Sequence, residues 1–501
     1  MDELIPKLRE GLRLGQLNDG AKSALLDDVL NQKVVLNDTL ETVIASLKAP
    51  RTWEELLEVT GLPPQKLERA ITFLGQRCLL DDEAGREAAR AAADILNHQT
   101  ADPDTVPLII RDEAAFSCTM CGGCCSGHNI GPVSQETIDA LAPHKAQLEE
   151  ITGRREGFFF TVPIRDVAGE TQDVTMCRTH HGACHFLDED NLCSIHRHLD
   201  PVMKPRVCQL FPYEFVATPA GVEVSLTMEC RGFLEARQGT PLSGQEDALR
   251  EALKRAPIRR IKPLISLDPS LRLSSASYLQ LEGRLHDAVT RHHARPTETM
   301  LALREILLEA QICDPPDAPS RDALVGALHQ FTDAMLSLVG ELEDAYGGTH
   351  DALHIRLDAL SALGDSIHTL RAEPGPVFRP VQSAALRTLF TDNVHHFLMS
   401  KRLTDAPTVV DALARLFASW FIAKGLAYAR AFQSKRRKLV PQDLMDALVT
   451  VNHLMRHADI KRAFTQLQPL TGYLFYQHLP TLLEQGKHAR VAHAHPEFFK
   501  F

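Results

Sequence analysis

Four cysteines crowd into eight residues, Cys118, Cys121, Cys124 and Cys125, in the run Ser117-Cys118-Thr119-Met120-Cys121-Gly122-Gly123-Cys124-Cys125. Thiolates at C-x2-C-x2-C-C spacing can converge on one metal centre, because a tight loop turns successive side chains inward. Gly122, Gly123 and Gly127 supply the backbone freedom for that loop. Adjacent Cys124 and Cys125 are expected to point apart and to serve different metals, or different irons of one cluster. A second group follows at Cys184, Cys193 and Cys208, with Cys230 closing a strand-like alternation that begins at Val222. Nine of the eleven cysteines lie between Cys118 and Cys230; only Cys78 and Cys313 fall outside. The opening run MDELIPKLREGLRLGQ carries acids and no apolar h-region, so no secretory signal is expected and a cytoplasmic setting follows. In that setting the crowding reads as metal ligation rather than a disulfide framework.

Eight thiols suffice for two four-thiolate sites, iron–sulfur or zinc, or for one cluster with spare thiols for redox work. The ferredoxin-like C-x2-C-x2-C spacing favours iron–sulfur, with zinc as the alternative. Several neighbours carry two readings. Cys177 is a packed thiol or a spare ligand. His180, His181 and His185, beside Cys184, are solvent-exposed loop residues or ligands. Arg206, two residues before Cys208, donates to a cluster sulfur or an anionic cosubstrate, or else forms a salt bridge. Asp188, Glu189 and Asp190 read as a solvated acidic turn.

The pattern CxxCxxCC, then Cys184-His185-Phe186-Leu187, Leu192-Cys193-Ser194-Ile195, Cys208 before Phe211-Pro212, and Cys230, resembles the cysteine-cluster family described as zinc- or iron-chelating. Within that family it is most similar to the flagellin lysine N-methylase branch, over about residues 115 to 235. A weaker echo, Leu389-Phe390-Thr391-Asp392-Asn393-Val394-His395-His396-Phe397-Leu398, looks like that branch's helical extension. The resemblance implies metal ligation by Cys118, Cys121, Cys124, Cys125, Cys184, Cys193, Cys208 and Cys230. It further implies an S-adenosylmethionine-dependent methyl transfer to lysine of a protein or peptide. His196 takes a position where family members often carry an aromatic, so packing is expected of it. The chain departs from the branch in spacing its first cysteines more closely, and in placing Arg231-Gly232 after Cys230 where the branch favours proline. The rival reading is a non-catalytic redox protein or metal carrier with a docking domain.

The elements around these motifs divide the 501 residues into three parts, 1–100, 101–240 and 241–501. In the first, Lys33 to Asn37 reads as a strand and Asp38 to Leu47 as a helix. Thr52 and Glu55 form a capping box that starts a helix through Val59. Gly61, Pro63 and Pro64 make a turn, a helix covers Gln65 to Arg77, and Cys78 to Asp82 reads as a strand. This order resembles a winged helix of the peptide-recognition type found in pyrroloquinoline-quinone peptide chaperones, which implies docking of a peptide as an added strand. DNA binding is disfavoured: residues 1–100 hold 12 Lys/Arg against 17 Asp/Glu, and only Lys66, Arg69 and Arg77 mark the third helix. A net charge of −11 gives no general field for nucleic acid either.

The third part reads as helices at 322–346, 351–370, 381–399, 409–432 and 441–457, with apolar stripes most simply assigned to core. The basic run Lys435-Arg436-Arg437-Lys438 reads as a solvated helix end. The most apolar stretch, Ala412 to Phe432, is interrupted by Arg415, Lys424 and Arg430, so no membrane span is expected. There is no G-x-G-x-x-G after a strand, no Walker A sequence and no C-x3-C-x2-C triplet, since His128 stands where its third cysteine would be. The expected fold is mainly α, with a small α+β winged-helix domain and an irregular cysteine-rich metal-binding domain.

Overall fold

The computed structural model describes residues 4–17, 22–112, 114–126, 130–165, 171–235, 239–311, 317, 319–346, 357–372, 377–436, 438–456 and 458–488. Gly127, His128, Cys313, Arg437, His457 and the first residues of the helix expected at 351–370 lie outside the described residues. The fold is mainly helical with small sheets, as composition and periodicity imply.

The N-terminal part opens on a three-stranded antiparallel sheet, Leu12–Leu17, Lys22–Asp27 and Gln32–Val35, joined in sequence order. Helices Asp38–Ser46, Trp53–Thr60 and Pro64–Gln76 pack on it through Leu40, Val43, Ile44, Leu56, Leu67 and Leu74. The capping box is made at both ends: Glu55 N–H donates to the Thr52 hydroxyl at 3.2 Å, and Thr52 N–H to Glu55 at 3.0 Å. Cys78 to Asp82 is not the expected strand. Leu80 makes a single bridge to Leu8, and Asp82 instead caps the long helix Glu83–Thr100. That helix starts so close to the preceding turn that a Cβ on Gly85 would stand 2.0 Å from the Leu80 carbonyl oxygen. Gly85→Ala is therefore expected to cost about 1–3 kcal/mol or more, read as a lower urea midpoint.

Glu83–Thr100 carries the N-terminal part onto the rest. Its Ile95 enters the largest core, His98 Nδ1 lies 2.8 Å from the Thr218 carbonyl, and the Gln99 amide donates to Ile258 at 2.9 Å. Beneath it lies a four-stranded sheet in the order Arg259–Arg260, Tyr213–Thr218, Gly221–Leu226, Leu108–Ile109. Both middle strands are largely buried, Gly221–Leu226 completely, which suits strands covered on two faces. The helices Ser275–Arg291, Arg321–Tyr346, Leu357–Ala372, Ala384–Met399, Val409–Gln433 and Pro441–Arg456 close over this sheet and share its core. Arg436, in the basic run, pairs with Asp443 at 2.6 Å through both guanidinium arms and fixes the start of the last of these helices.

Charged groups are buried where sheet and helices meet. Lys401, 1% exposed, ion-pairs with Glu223 at 2.5 Å and with Glu282. Tyr278 donates to the second oxygen of Glu282 at 2.8 Å, and Arg111 reaches Glu223 at 3.3 Å. One turn on from Glu282, His286 stacks on His395 with Nδ1 atoms 3.2 Å apart.

Burial, reinforced by Arg111, His395 and Lys401, pushes His286 down to about 2, and burial with His395 pushes His396 down to about 3. Folded, both rings refuse a proton that the unfolded chain accepts near 6.5. Their contribution is therefore intact above that value and is lost as pH falls through it. Each histidine should lower the unfolding free energy by about 1.4 kcal/mol per pH unit below pH 6. Urea titrations between pH 7 and 5 measure this, and His286→Phe should flatten the slope.

Candidate metal centre

Two short ladders bring the thiols together. Phe159–Arg165 pairs with Thr171–Cys177, and Thr179–His180 then pairs with Ala183–Cys184 around a turn in which His181 and Gly182 take φ of 50° and 78°. Isolated bridges tie Ser126 to Ala183 and Ile130 to Cys177. In an antiparallel register the residue before Ser126 lies beside the residue after Ala183, so Cys125 meets Cys184. Cys193 follows the Asp188–Asn191 turn and is the N-cap residue of the one-turn helix Ser194–His198, whose His196 and Ile195 N–H groups favour its thiolate. Cys208 sits in the short helix Arg206–Leu210. Cys177 and Cys184 are buried in one apolar core with Ile130, Leu148, Phe158, Phe186 and Ile195, and Cys125, Cys193 and Cys208 pack against it.

Cys124 and Cys125 do not point apart. Their sulfurs lie 3.7 Å from each other, because the pair belongs to a 3-10 turn, Gly123–Cys125, rather than to extended chain. About three residues per turn rotates neighbours by roughly 120°, not 180°, so both can lean to one side. Gly122 supplies the left-handed entry to that turn with φ of 68°.

The thiols act on one another electrically. The hydrogen bond from Cys125 holds Cys124 down to about 7, while the same bond and burial push Cys125 up. Cys177 and Cys184 also act on one another: Cys177 lowers Cys184, helped by the Phe186 N–H and Arg154, and Cys184 together with burial raises Cys177. Burial raises Cys193 and Cys208, each of which also feels the charge of Cys184. Lys204 opposes the rise at Cys193 and Cys208 and favours the thiolate of Cys124.

The remaining cysteines of the pattern lie elsewhere. Cys118 and Cys121 are exposed. Cys230 is 9% exposed and belongs to the core of the sheet and helices. It does not end a strand: the strand stops at Leu226, and Cys230 lies in the turn before the helix Arg231–Glu235. The Cys230 sulfur, the Phe116 ring and the Ser117 carbonyl all crowd Gly232, which sets Cys230 near the start of the CxxCxxCC run.

The neighbours also differ from expectation. His196 is exposed rather than packed. Arg206 donates to the Arg255 carbonyl, and among the described residues it has no salt bridge or hydrogen bond to sulfur. Asp188 is not merely solvated, since it accepts the Asp190 and Leu192 N–H groups at 3.0 and 2.8 Å and pairs with Arg197 at 2.9 Å, fixing the turn before Cys193. His180 is half-buried and His181 exposed, whereas His185 is wholly buried with neither ring nitrogen hydrogen-bonded.

None of the ten described cysteines is in a disulfide. Among the described residues, no three Cys, His, Asp or Glu side chains stand ready-made around a metal position. The donor chemistry nevertheless fits a thiophilic metal. The sulfurs of Cys124 and Cys125 lie 3.7 Å apart, and Cys125, Cys177, Cys184, Cys193 and Cys208 share one core in which they feel one another's charge. A cation could replace those protons at neutral pH. One family model matches, at residues 117–224, and its description is "Putative zinc- or iron-chelating domain", CxxCxxCC. No curated protein and no solved structure matches the chain. Residues 117–224 are thus similar to a zinc- or iron-chelating cysteine domain.

Proposed function

We propose that this chain is an iron–sulfur protein whose centre is held by Cys124, Cys125, Cys184, Cys193 and Cys208, with Cys118, Cys121 and Cys230 serving a second position. The observation that supports the reading is the meeting of Cys125, Cys184, Cys193 and Cys208 in one core, with the Cys124 sulfur 3.7 Å from that of Cys125. All-sulfur donors suit iron–sulfur clusters and zinc alike. The ferredoxin-type spacing of the first three cysteines tips the choice to iron. Anaerobic purification should give a brown chain with acid-labile sulfide and a thiolate-to-iron absorption band. A colourless chain with stoichiometric zinc would replace iron in the proposal, and a metal-free chain would end it.

The finer reading is a lysine N-methylase-like enzyme acting on a protein or peptide. Two things support it: the resemblance over residues 115 to 235, and the packing of the echo segment. That segment lies within the helix Ala384–Met399, and its Asn393 is joined through Asn452, at 3.0 Å, to the Met228 carbonyl, at 3.2 Å, two residues before Cys230. The helical part is thereby tied to the end of the cysteine region. In such an enzyme the metal would supply Lewis acidity or electrons. The protein would hold the substrate lysine and keep water out. Calorimetry of the metal-loaded chain with S-adenosylmethionine tests this; absence of binding heat would leave a redox or metal-carrier protein.

A further inference from the structure

We infer that Cys177, which stands outside the CxxCxxCC pattern, is a ligand of the buried metal centre. The inference rests on the proposed metal-binding reading and names a residue that the pattern leaves out. It starts from register. Thr179 is the ladder partner of Cys184. Cys177 stands two residues before Thr179, and alternate residues of a strand share a face. The pairing continues across the gap, because His185 N–H donates to the Arg178 carbonyl at 2.9 Å and Arg178 N–H to the Phe158 carbonyl at 2.8 Å. Cys177 and Cys184 are therefore diagonal neighbours on one side of the hairpin. His180 and Ala183 pair on the other side, and His185, two residues after Ala183, follows them there: its ring contacts Phe158 and His180.

Packing agrees with register. Cys177 is 1% exposed and lies in the core that gathers Cys125, Cys184, Cys193 and Cys208. Its thiol feels the charges of Cys184, Cys208 and Cys193. Cys78 makes a useful contrast. It is equally buried, but its charged neighbours are Asp82, Arg9, Glu87 and Asp27 rather than thiols. Cys177 therefore has what Cys78 lacks: other sulfurs facing the same space. Binding would exchange the thiol proton for a sulfur–metal bond, with the proton released to solvent, and no oxidation state would change.

Cys177→Val tests the assignment, because valine nearly preserves the volume and apolar character of a packed thiol. Full-length chains purified anaerobically would be compared for metal and sulfide per chain and for their thiolate-to-metal absorption. Cys177→Val should retain metal at least about 100-fold more weakly against a competing chelator, while Cys78→Val retains it unchanged. Far-UV circular dichroism identifies a variant that has not folded. In that event the unsubstituted chain loaded with 113Cd decides: coupling of the Cys177 β-protons to cadmium supports the assignment, and its absence overturns it. A folded Cys177→Val with unaltered metal content and spectrum overturns it too, while leaving the metal-binding reading in place. An unsubstituted chain that holds no metal overturns both.

Discussion

Replacing Cys184 by serine should strip the buried centre of its metal and lower the melting transition of the cysteine region to that of the chelated protein. Cys184 is the sulfur to which the others are referred. Cys125 stands beside it across the Ser126–Ala183 bridge, Cys177 is its diagonal neighbour in the hairpin, and Cys208 and Cys193 both feel its charge. A serine hydroxyl stays protonated at neutral pH and is a poor donor for a thiophilic metal, so one substitution removes the shared member of the set. The effect on stability should be large because the surrounding core is small: among the described residues its cluster has ten buried members. Small cores of this kind commonly depend on a metal or a disulfide. Binding of a structural zinc ion can supply about 10 kcal/mol of apparent folding energy, more than any single packing contact here. Calorimetric melts with and without chelator, alongside metal analysis, check this. If Cys184→Ser keeps its metal and its melting profile, the site has been placed wrongly.

Local signals in the sequence were enough for the elements whose causes are local. The Thr52–Glu55 box and the helices expected at Gln65 to Arg77, 322–346 and 441–457 appear within a residue or two of where spacing puts them. Cys78 to Asp82 went astray because a β-looking run can be overruled by a strong cap: Asp82 accepts the Gly85 N–H at 2.7 Å and starts a helix of 18 residues. The hairpin of Phe159–Arg165 and Thr171–Cys177 left no distinct signal, since its exposed residues are mixed and Pro163 lies within it. Yet this hairpin delivers Cys177. The list of cysteines was legible, whereas their division into groups was not. That division depends on the register across Ser126–Ala183 and Thr179–Cys184, set by pairing between segments more than fifty residues apart in one case.

Lys401→Met should destabilise the chain by about 3–5 kcal/mol, the range for breaking a buried ion pair from one side. The side chains of Lys401, Glu223 and Glu282 are 1%, 3% and 0% exposed, so water cannot replace the lost ammonium. Removing it leaves two carboxylates facing each other, with Arg111 and Tyr278 as their remaining partners. At least one must take up a proton, which makes the variant less stable as pH rises, opposite in sign to the buried histidines. Position 401 also has φ of 56°, the left-handed conformation that commonly ends a helix, here just after Ala384–Met399. Lys401→Met/Glu223→Gln/Glu282→Leu should recover most of the loss, because apolar or neutral groups of similar bulk need no counter-charge. Urea titrations of the two variants at pH 6 and 8 separate charge from packing: failure of the triple variant to recover would assign the cost to shape. The same lock bears on the metal centre, because Glu223 belongs to the strand Gly221–Leu226, which leads directly to the turn holding Cys230. Loosening Lys401 should therefore expose Cys230 to alkylation while leaving Cys184, in its separate core, protected.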